Sequence, residues 1–160
     1  MEQNEKILSK CSICGISSEE VRFAKELLAN KSSVSTDGVF ICEGLWAAEK
    51  MMRHQIPVTH FFINSEVLLT EKFSAQERET ILRIAEYAQN SYAISEKACR
   101  KISDRDGADF CFIIARQKKY SLDTLPLTDD MLLMILDGQE QPGNIGAILR
   151  SLDCAGGTAA

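Results

Sequence analysis

Residues 131–160 read MLLMILDGQEQPGNIGAILRSLDCAGGTAA and carry the clearest structural pattern of the chain. Met131–Leu136 is an unbroken apolar run, which is typical of a strand buried on both faces. After a polar loop, apolar residues recur at helical spacing, and Gly156-Gly157 marks the end of that helix: Ile145, Ile148, Leu149, Leu152 and Ala155. The order strand, loop, helix predicts the opening unit of an α/β domain with a parallel sheet. Because the sequence stops three residues after the glycines, we expect this domain to be incomplete and its function to belong to a longer parent protein.

The loop before this helix has the composition of an anion-binding turn. Asn144 is predicted as the helix N-cap, and Pro142 and Gly143 are predicted to form a tight turn ahead of it. Gly143, Gly146 and Arg150 fall along one line of the helix surface. A long helical side chain leans toward the N-terminus, so the Arg150 guanidinium is expected to reach a ligand lying over the glycines.

An ordinary capped helix accounts for the same spacing. In that interpretation Arg150 pairs with Asp153 on the solvent face, and spacing alone favours it. The segment matches neither the dinucleotide-binding glycine pattern nor a P-loop.

The segment LDGQEQPGNIGAILRSLDCAGG resembles the first motif of the SpoU/TrmH-type RNA ribose methyltransferases, within the SPOUT superfamily. The motif is Asn-x-Gly-x-x-x-Arg after a buried strand and a turn, and Asn144, Gly146 and Arg150 match it. This family usually has an acidic residue before the Pro, where the present chain has Gln141 preceded by Glu140.

A second segment, VFICEGLWAAEKMMRHQIPVTHFFINSE, resembles the start of the accessory substrate-recognition domain of that family. There a strand leads to Glu-Gly and then to a helix, and Glu43-Gly44 matches the pair. The two segments occur in the order the family shows, and the resemblance extends from roughly Glu20 onward.

The resemblance implies methyl transfer from S-adenosylmethionine to a ribose 2′-hydroxyl of ribosomal or transfer RNA. It implies catalytic roles for Arg150 and Asn144, and substrate contacts by Glu43, Gly143 and Gly146. The parent protein is expected to dimerise through its catalytic domain. The motifs of the cofactor pocket would follow residue 160, so no cofactor-binding residue is expected within this chain, and the fragment alone is expected to be inactive.

Composition places the chain among ordinary globular proteins, with 45% hydrophobic and 26% charged residues. No apolar run reaches the length of a membrane span, and the N-terminus lacks the apolar core of a signal peptide, which favours the cytoplasm. The net charge of −5 counts against RNA binding as the sole function. Basic residues nevertheless cluster in two places: Lys97, Arg100, Lys101 and Arg105, and then Arg116, Lys118 and Lys119. Arg105 lies in a predicted turn before a strand, where it is a candidate phosphate contact.

The cysteines predict no metal centre. Cys11 and Cys14 form a lone C-x-x-C without a second close pair, so free reduced thiols are favoured over zinc. Cys42 and Cys111 lie in apolar strand-like runs and are expected to be small core residues.

Strand and helix patterns alternate along the rest of the chain. They predict an N-terminal arm or short helix over 1–17, a small α/β/α substrate-recognition domain over 18–116, a linker over 117–130 and the incomplete SPOUT-type α/β (knotted) domain over 131–160. Trp46 and the Met51-Met52 pair are expected to belong to the core or an interface, not to a base-stacking platform.

Two further functions are compatible with the sequence. The first domain could be a non-catalytic RNA-binding module, which salt-dependent binding of RNA would support. Alternatively, the negative net charge is compatible with a protein-interaction domain whose fold only resembles the family.

Overall fold

The computed structural model of this chain describes residues 2–29, 38–70, 72–103, 110–125 and 128–158. The chain divides into two compact units, Met1–Lys118 and Lys119–Ala160. None of the described helices is both long enough and apolar enough to cross a membrane.

The first unit alternates helices with strands. Its elements are α1 (Glu2–Ser9), β1 (Ser12–Ile13), α2 (Glu19–Ala29), β2 (Val39–Glu43), α3 (Leu45–Arg53), β3 (Val58–Asn64), α4 (Ser65–Leu68), α5 (Ala75–Tyr87), β4 (Asn90–Ile94), α6 (Glu96–Ile102) and β5 (Cys111–Arg116). The longest helix, α5, begins with a capping box in which Ser74 and Glu77 satisfy each other's backbone N–H groups.

The described strands form one mixed sheet of five strands in the order β1-β4-β3-β5-β2. Strands β1 and β3 pair parallel with β4, whereas β5 runs antiparallel to both β3 and β2. The short β1 and the strand β2 are therefore the two edges of the sheet.

Helices cover both faces of this sheet, as the sequence predicts. Successive side chains of a strand point to opposite faces. On β3, Phe61 and Ile63 accordingly pack with α1, α3 and α5, whereas Phe62 packs with α2 and α6. All three side chains are fully buried, and so is Cys111 on β5, which confirms the expected core role of that cysteine. The predicted three-layer α/β/α arrangement is confirmed for the first unit.

Residues 2–17 are part of the first unit, and of the two expectations for this segment the structure has the short helix, α1. Ile7 of α1 is fully buried in the core, and β1 extends the sheet beside β4. The Arg78 guanidinium on α5 also donates to Asn4 Oδ1 on α1 and to the carbonyl oxygens of Leu68 and Thr70. The buried side chains of Ile7 and Cys14, together with a few hydrogen bonds, therefore dock a segment whose composition is largely polar.

The second unit contains a short 3₁₀ helix (Leu122–Thr124) and the helix α7 (Pro142–Cys154). The predicted strand over Met131–Leu136 is wrong for the described chain, because only Leu133 forms a single bridge. This apolar run is largely exposed, reaching 80% at Ile135. A buried strand needs neighbours on both sides, whereas the bonds of this run within its unit join Met131 to the Thr128 carbonyl and Leu132 to Thr158.

The end of α7 follows the prediction. Gly156 adopts a left-handed conformation with φ +77°, and its N–H donates to the Asp153 carbonyl at 3.1 Å. The Gly157 N–H donates to the Leu152 carbonyl at 2.8 Å. This pair of bonds is the Schellman arrangement, so the two glycines end the helix.

Candidate functional site

The helix α7 begins three residues earlier than the sequence predicts. Gln141 is its N-cap, without a side-chain capping bond, and Pro142 occupies the first helical position. Proline is favoured there because its fixed φ suits a helix and its missing N–H has no intrahelical partner. Asn144 therefore lies in the first turn, with its N–H donating to the Gln141 carbonyl, and the prediction of Asn144 as N-cap is wrong.

Gly146 and Arg150 lie together on α7. A methyl group placed at Gly146 would lie 3.3 Å from Nη1 of Arg150, so the guanidinium folds back over this glycine. This is the geometry that the i, i+4 spacing predicts for a long side chain leaning toward the helix N-terminus. A methyl group placed at Gly143 would have no neighbouring atom within 4 Å, so there is open space beside the first turn.

The Arg150 side chain is exposed, as are Gly143 and Asn144. Among the described residues, no carboxylate lies within ion-pair distance of Arg150, not even that of Asp153. The alternative interpretation, in which Arg150 pairs with Asp153, is thus not realised. The arrangement presents a cation beside bare backbone at the positive end of a helix, which suits an anionic ligand.

Glu43 and Gly44 lie in the first unit, where β2 ends and α3 begins. Gly44 is the N-cap of α3 and has φ 96°, a conformation that disfavours any side chain. Its N–H donates to the Cys111 carbonyl at 3.1 Å. The Glu43 carboxylate accepts a hydrogen bond from the Ser103 hydroxyl at 3.3 Å. Glu43 and the glycines of α7 belong to different units.

The two predicted basic clusters differ in what they can offer a ligand. In the first, Arg100 is engaged by Glu96 at 2.5 Å, and Lys101 donates to the Ile16 carbonyl at 2.9 Å. Arg105 lies outside the described residues. In the second, Arg116 and Lys118 are exposed, and Lys118 donates to the His54 carbonyl at the end of α3.

Cys14 and His60 lie near the start of α2, whereas Cys11 packs against the core on the other face of the sheet. Burial raises the pKa of the Cys11 thiol to about 11 and also raises the pKa of Cys14, which contacts the Ser18 hydroxyl at 2.8 Å. Burial lowers the pKa of His60 below 6.5, although the nearby Glu20 carboxylate works in the opposite direction. Thiols held in their neutral form are poor nucleophiles and poor metal ligands. In the described part of the chain, no group of three or more potential ligands is arranged for a metal ion.

Trp46 lies in the first turn of α3 and is 71% exposed, so the core half of its expectation is wrong, and the interface half stays a prediction. The signal was present in the helical spacing, because Trp46 shares a face with Lys50 and Arg53, opposite the buried Ala47 and Met51.

Solved structures share this architecture. An RNA 2′-O ribose methyltransferase matches with a TM-score of 0.65 and 24% identity, over 91% of this chain and 52% of that protein. An rRNA methyltransferase from Sinorhizobium meliloti matches with a TM-score of 0.74 and 18% identity, over 92% of this chain and 53% of that protein.

A third structure was solved with a cofactor bound. The SpoU methyltransferase AviRb from Streptomyces viridochromogenes, in complex with AdoMet, matches with a TM-score of 0.73 and 22% identity, over 88% of this chain and 51% of that protein. No protein-family model and no curated protein matches the sequence. The chain spans about half the length of these structures and has the fold of SpoU/TrmH-type RNA methyltransferases over about nine-tenths of its own length.

Proposed function

We propose that this chain is the substrate-recognition part and the first catalytic motif of an S-adenosylmethionine-dependent RNA 2′-O-ribose methyltransferase. The observation that carries the proposal is the Arg150 guanidinium lying over Gly146, in a chain whose fold matches RNA methyltransferases. The fold favours an RNA methyltransferase. The Arg150 guanidinium beside the open backbone of Gly146 supplies a positive charge suited to an RNA phosphate.

Arg150 is proposed to hold a phosphate beside the reacting ribose and to stabilise negative charge that develops on the 2′-oxygen. A guanidinium offers a planar fork of donors, which can bind two phosphate oxygens at once. The same fixed charge favours the alkoxide-like transition state over the neutral hydroxyl. Arginine stays protonated at physiological pH, so we assign it electrostatic stabilisation and not the role of general base.

Asn144, Gly143 and Gly146 are proposed to shape the same site. Asn144 is exposed in the first turn of α7, where its amide can donate to the substrate and accept from it. Among the first residues of α7, Pro142 has no N–H, and the N–H groups of Asn144 and Ile145 donate to the Gln141 carbonyl. The Gly143 N–H is therefore the one available to a ligand, and glycine lets a ligand approach it closely. In the first unit, Glu43 is proposed as a substrate contact, with its carboxylate oriented by the Ser103 hydroxyl.

We propose no pocket for S-adenosylmethionine among the described residues. Such a site needs apolar walls around a small molecule, with few convergent polar groups. In the described second unit, the apolar Leu132–Ile135 run is exposed instead of enclosing a cavity, and the surroundings of Arg150 are also exposed. We therefore assign no residue of this chain to the cofactor, and we propose that the chain alone does not turn over.

We further propose that the complete protein is a cytoplasmic homodimer acting on ribosomal or transfer RNA, as the family resemblance implies. The chain's match to about half of each solved structure supports a longer working protein.

Transfer of a labelled methyl group from S-adenosylmethionine to RNA by the full-length protein tests the proposal. A matched RNA made with 2′-deoxyribose should accept no label, because the proposed acceptor is the 2′-oxygen. Label on the ribose RNA alone is the expected result. Equal labelling of both nucleic acids would place the methyl group on a base and refute ribose methylation, and no transfer to any cellular RNA would refute the function.

A further inference from the structure

The exposed Trp46 is unusual for its size and its position. It is the sole tryptophan of the chain, and 71% of its surface faces solvent. Lone exposed apolar residues are common in proteins, but tryptophan is the largest of them and is enriched where binding energy is concentrated. Its neighbours therefore decide what it could bind.

Cations accompany Trp46 along α3. Lys50 lies one helical turn further on, with Nζ 5.7 Å from the centre of the indole ring. Arg53 is exposed one turn beyond Lys50 on the same face, and Lys118 is anchored at the end of the helix by its bond to the His54 carbonyl at 3.0 Å. We call these four residues the Trp46 strip: Trp46, Lys50, Arg53 and Lys118.

The strip faces solvent because the opposite side of α3 is the buried one. Ala47, Ala48 and Met51 pack into the core against the sheet and α5. The acidic residue of the helix, Glu49, accepts a hydrogen bond from Thr80 of α5 at 3.3 Å, so its carboxylate is directed toward that helix. The strip is thus locally basic in a chain whose net charge is −5.

We propose that the Trp46 strip binds single-stranded RNA, with the indole stacking on an unpaired base and the three cations contacting phosphates. Exposed aromatic rings flanked by cations are how proteins bind single strands, since every base has a stacking face. A duplex hides those faces between neighbouring base pairs, so the strip should prefer unpaired RNA. This inference rests on the proposed RNA substrate and assigns the residues that hold it.

Charge favours RNA over a protein partner. The centre of a protein interface is depleted of charged residues around its aromatic anchor. Around Trp46, α3 instead carries the half-buried Lys50, the exposed Arg53 and the exposed Glu49, whose carboxylate is bonded to Thr80. These cations would have to be desolvated against a protein, whereas phosphates would pair with them.

The fluorescence of the sole tryptophan reports stacking directly. We expect a short single-stranded RNA to quench it and to bind with an affinity that falls as salt rises. Trp46→Ala should weaken binding by about tenfold or more, and Trp46→Phe should retain most of the affinity because it keeps a stacking ring. An RNA of the same length with abasic sites should bind the wild type about as weakly as intact RNA binds the Trp46→Ala variant.

Matched controls separate the strip from the general surface. Lys25→Gln removes an exposed lysine on α2, which covers the other face of the sheet, and should leave the affinity unchanged, whereas Lys50→Gln should lower it. Ile13→Ala removes a 94% exposed apolar side chain at the opposite sheet edge and should also be neutral.

Two results would overturn the inference. One is RNA affinity and fluorescence that do not respond to Trp46→Ala. The other is self-association or binding to a protein that Trp46→Ala abolishes, with no quenching by RNA. These results would refute RNA binding by the Trp46 strip without refuting the proposed function. The full-length protein can still transfer methyl groups to RNA when Trp46→Ala leaves the RNA affinity unchanged.

Discussion

Nη1 of Arg150 lies 3.3 Å from the position that a methyl group would take at Gly146, so the bare backbone and the guanidinium occupy adjoining space. This contact is tighter than ordinary van der Waals packing, and the flexible end of the arginine would have to yield to any side chain. The conformation of Arg150 therefore depends on residue 146, one turn earlier, having no side chain.

Gly146→Ala should separate stability from activity. Alanine in a helix interior is favoured over glycine by about 1 kcal/mol, so the unfolding free energy of the second unit should rise by up to that amount. The guanidinium should shift by a fraction of an ångström, so methyl transfer should fall, by less than the ~100-fold that a 1 Å displacement can cause. Thermal unfolding and methyl-transfer rates of the full-length protein measure the two effects.

Ser151→Ala is the matched control for this substitution. It also places alanine on the exposed side of α7, where the Ser151 hydroxyl bonds only within the helix, to the Ala147 carbonyl. It should raise helix stability slightly and leave the rate unchanged. Full activity of Gly146→Ala, or an equal loss in both variants, would contradict the assigned geometry.

Gly157→Ala should destabilise the second unit. A methyl group at this position would lie 2.2 Å from Cγ of Leu152 and 2.9 Å from its carbonyl oxygen, so the backbone itself would have to move. Leu152 is the buried residue of α7, and its displacement also removes packing. We expect a loss of about 2 kcal/mol or more, in line with overpacked cores. Amide hydrogen exchange of α7 is the measurement, and unchanged protection would show that this helix end is not constrained.

Acid should weaken the first unit through His60. The pKa of this imidazole lies below 6.5 in the fold because burial disfavours its charged form, and the Glu20 carboxylate only partly offsets that effect. The unfolded chain therefore binds more protons than the folded chain in this range. The stabilisation is fully present above pH 6.5 and is lost as pH falls through the folded-state pKa.

His60→Phe removes this titration while retaining an aromatic ring beside Phe62 and Tyr92, which stack near His60. Urea unfolding followed from about pH 8 to about pH 5 should show a steeper fall for the wild type than for the variant. Glu20 and Glu77, whose pKa values are lowered by hydrogen bonds, respond mainly below pH 4.5 and do not obscure this window. Identical pH profiles would rule out His60 as the source.

The sequence was sufficient for the layers of the first unit. The apolar runs at β3 and β5 and the stripes of α2, α3 and α5 reflect burial against a sheet, and burial is what periodicity reports. The docking of α1 escaped prediction because it depends mainly on Ile7 and on the polar ties of Arg78, and neither produces a periodic pattern.

In the second unit, the sequence pattern predicted a strand that the structure does not have. Met131–Leu136 has the composition of a central strand, yet strand formation depends on neighbours that composition does not specify. The helix start was misplaced because Asn144 is a good N-cap by residue type, whereas Pro142 determines the first turn by its fixed φ.

Within the candidate site, the spacing of Gly146 and Arg150 predicted their proximity correctly, since i and i+4 residues adjoin on any helix. Trp46 was expected in the core or at an interface, and its exposure excludes the core, where a large aromatic residue is more often found. The roles of Asn144, Gly143 and Glu43 remain predictions.

The rate of methyl transfer to RNA by the Arg150→Ala and Arg150→Lys variants of the full-length protein tests the central claim most directly. Loss of the guanidinium should lower the rate by about 100-fold or more, and lysine should restore little because it lacks the bidentate fork. Arg22→Ala, which removes an exposed arginine on α2, should leave the rate unchanged. Wild-type rates in both Arg150 variants would contradict the account.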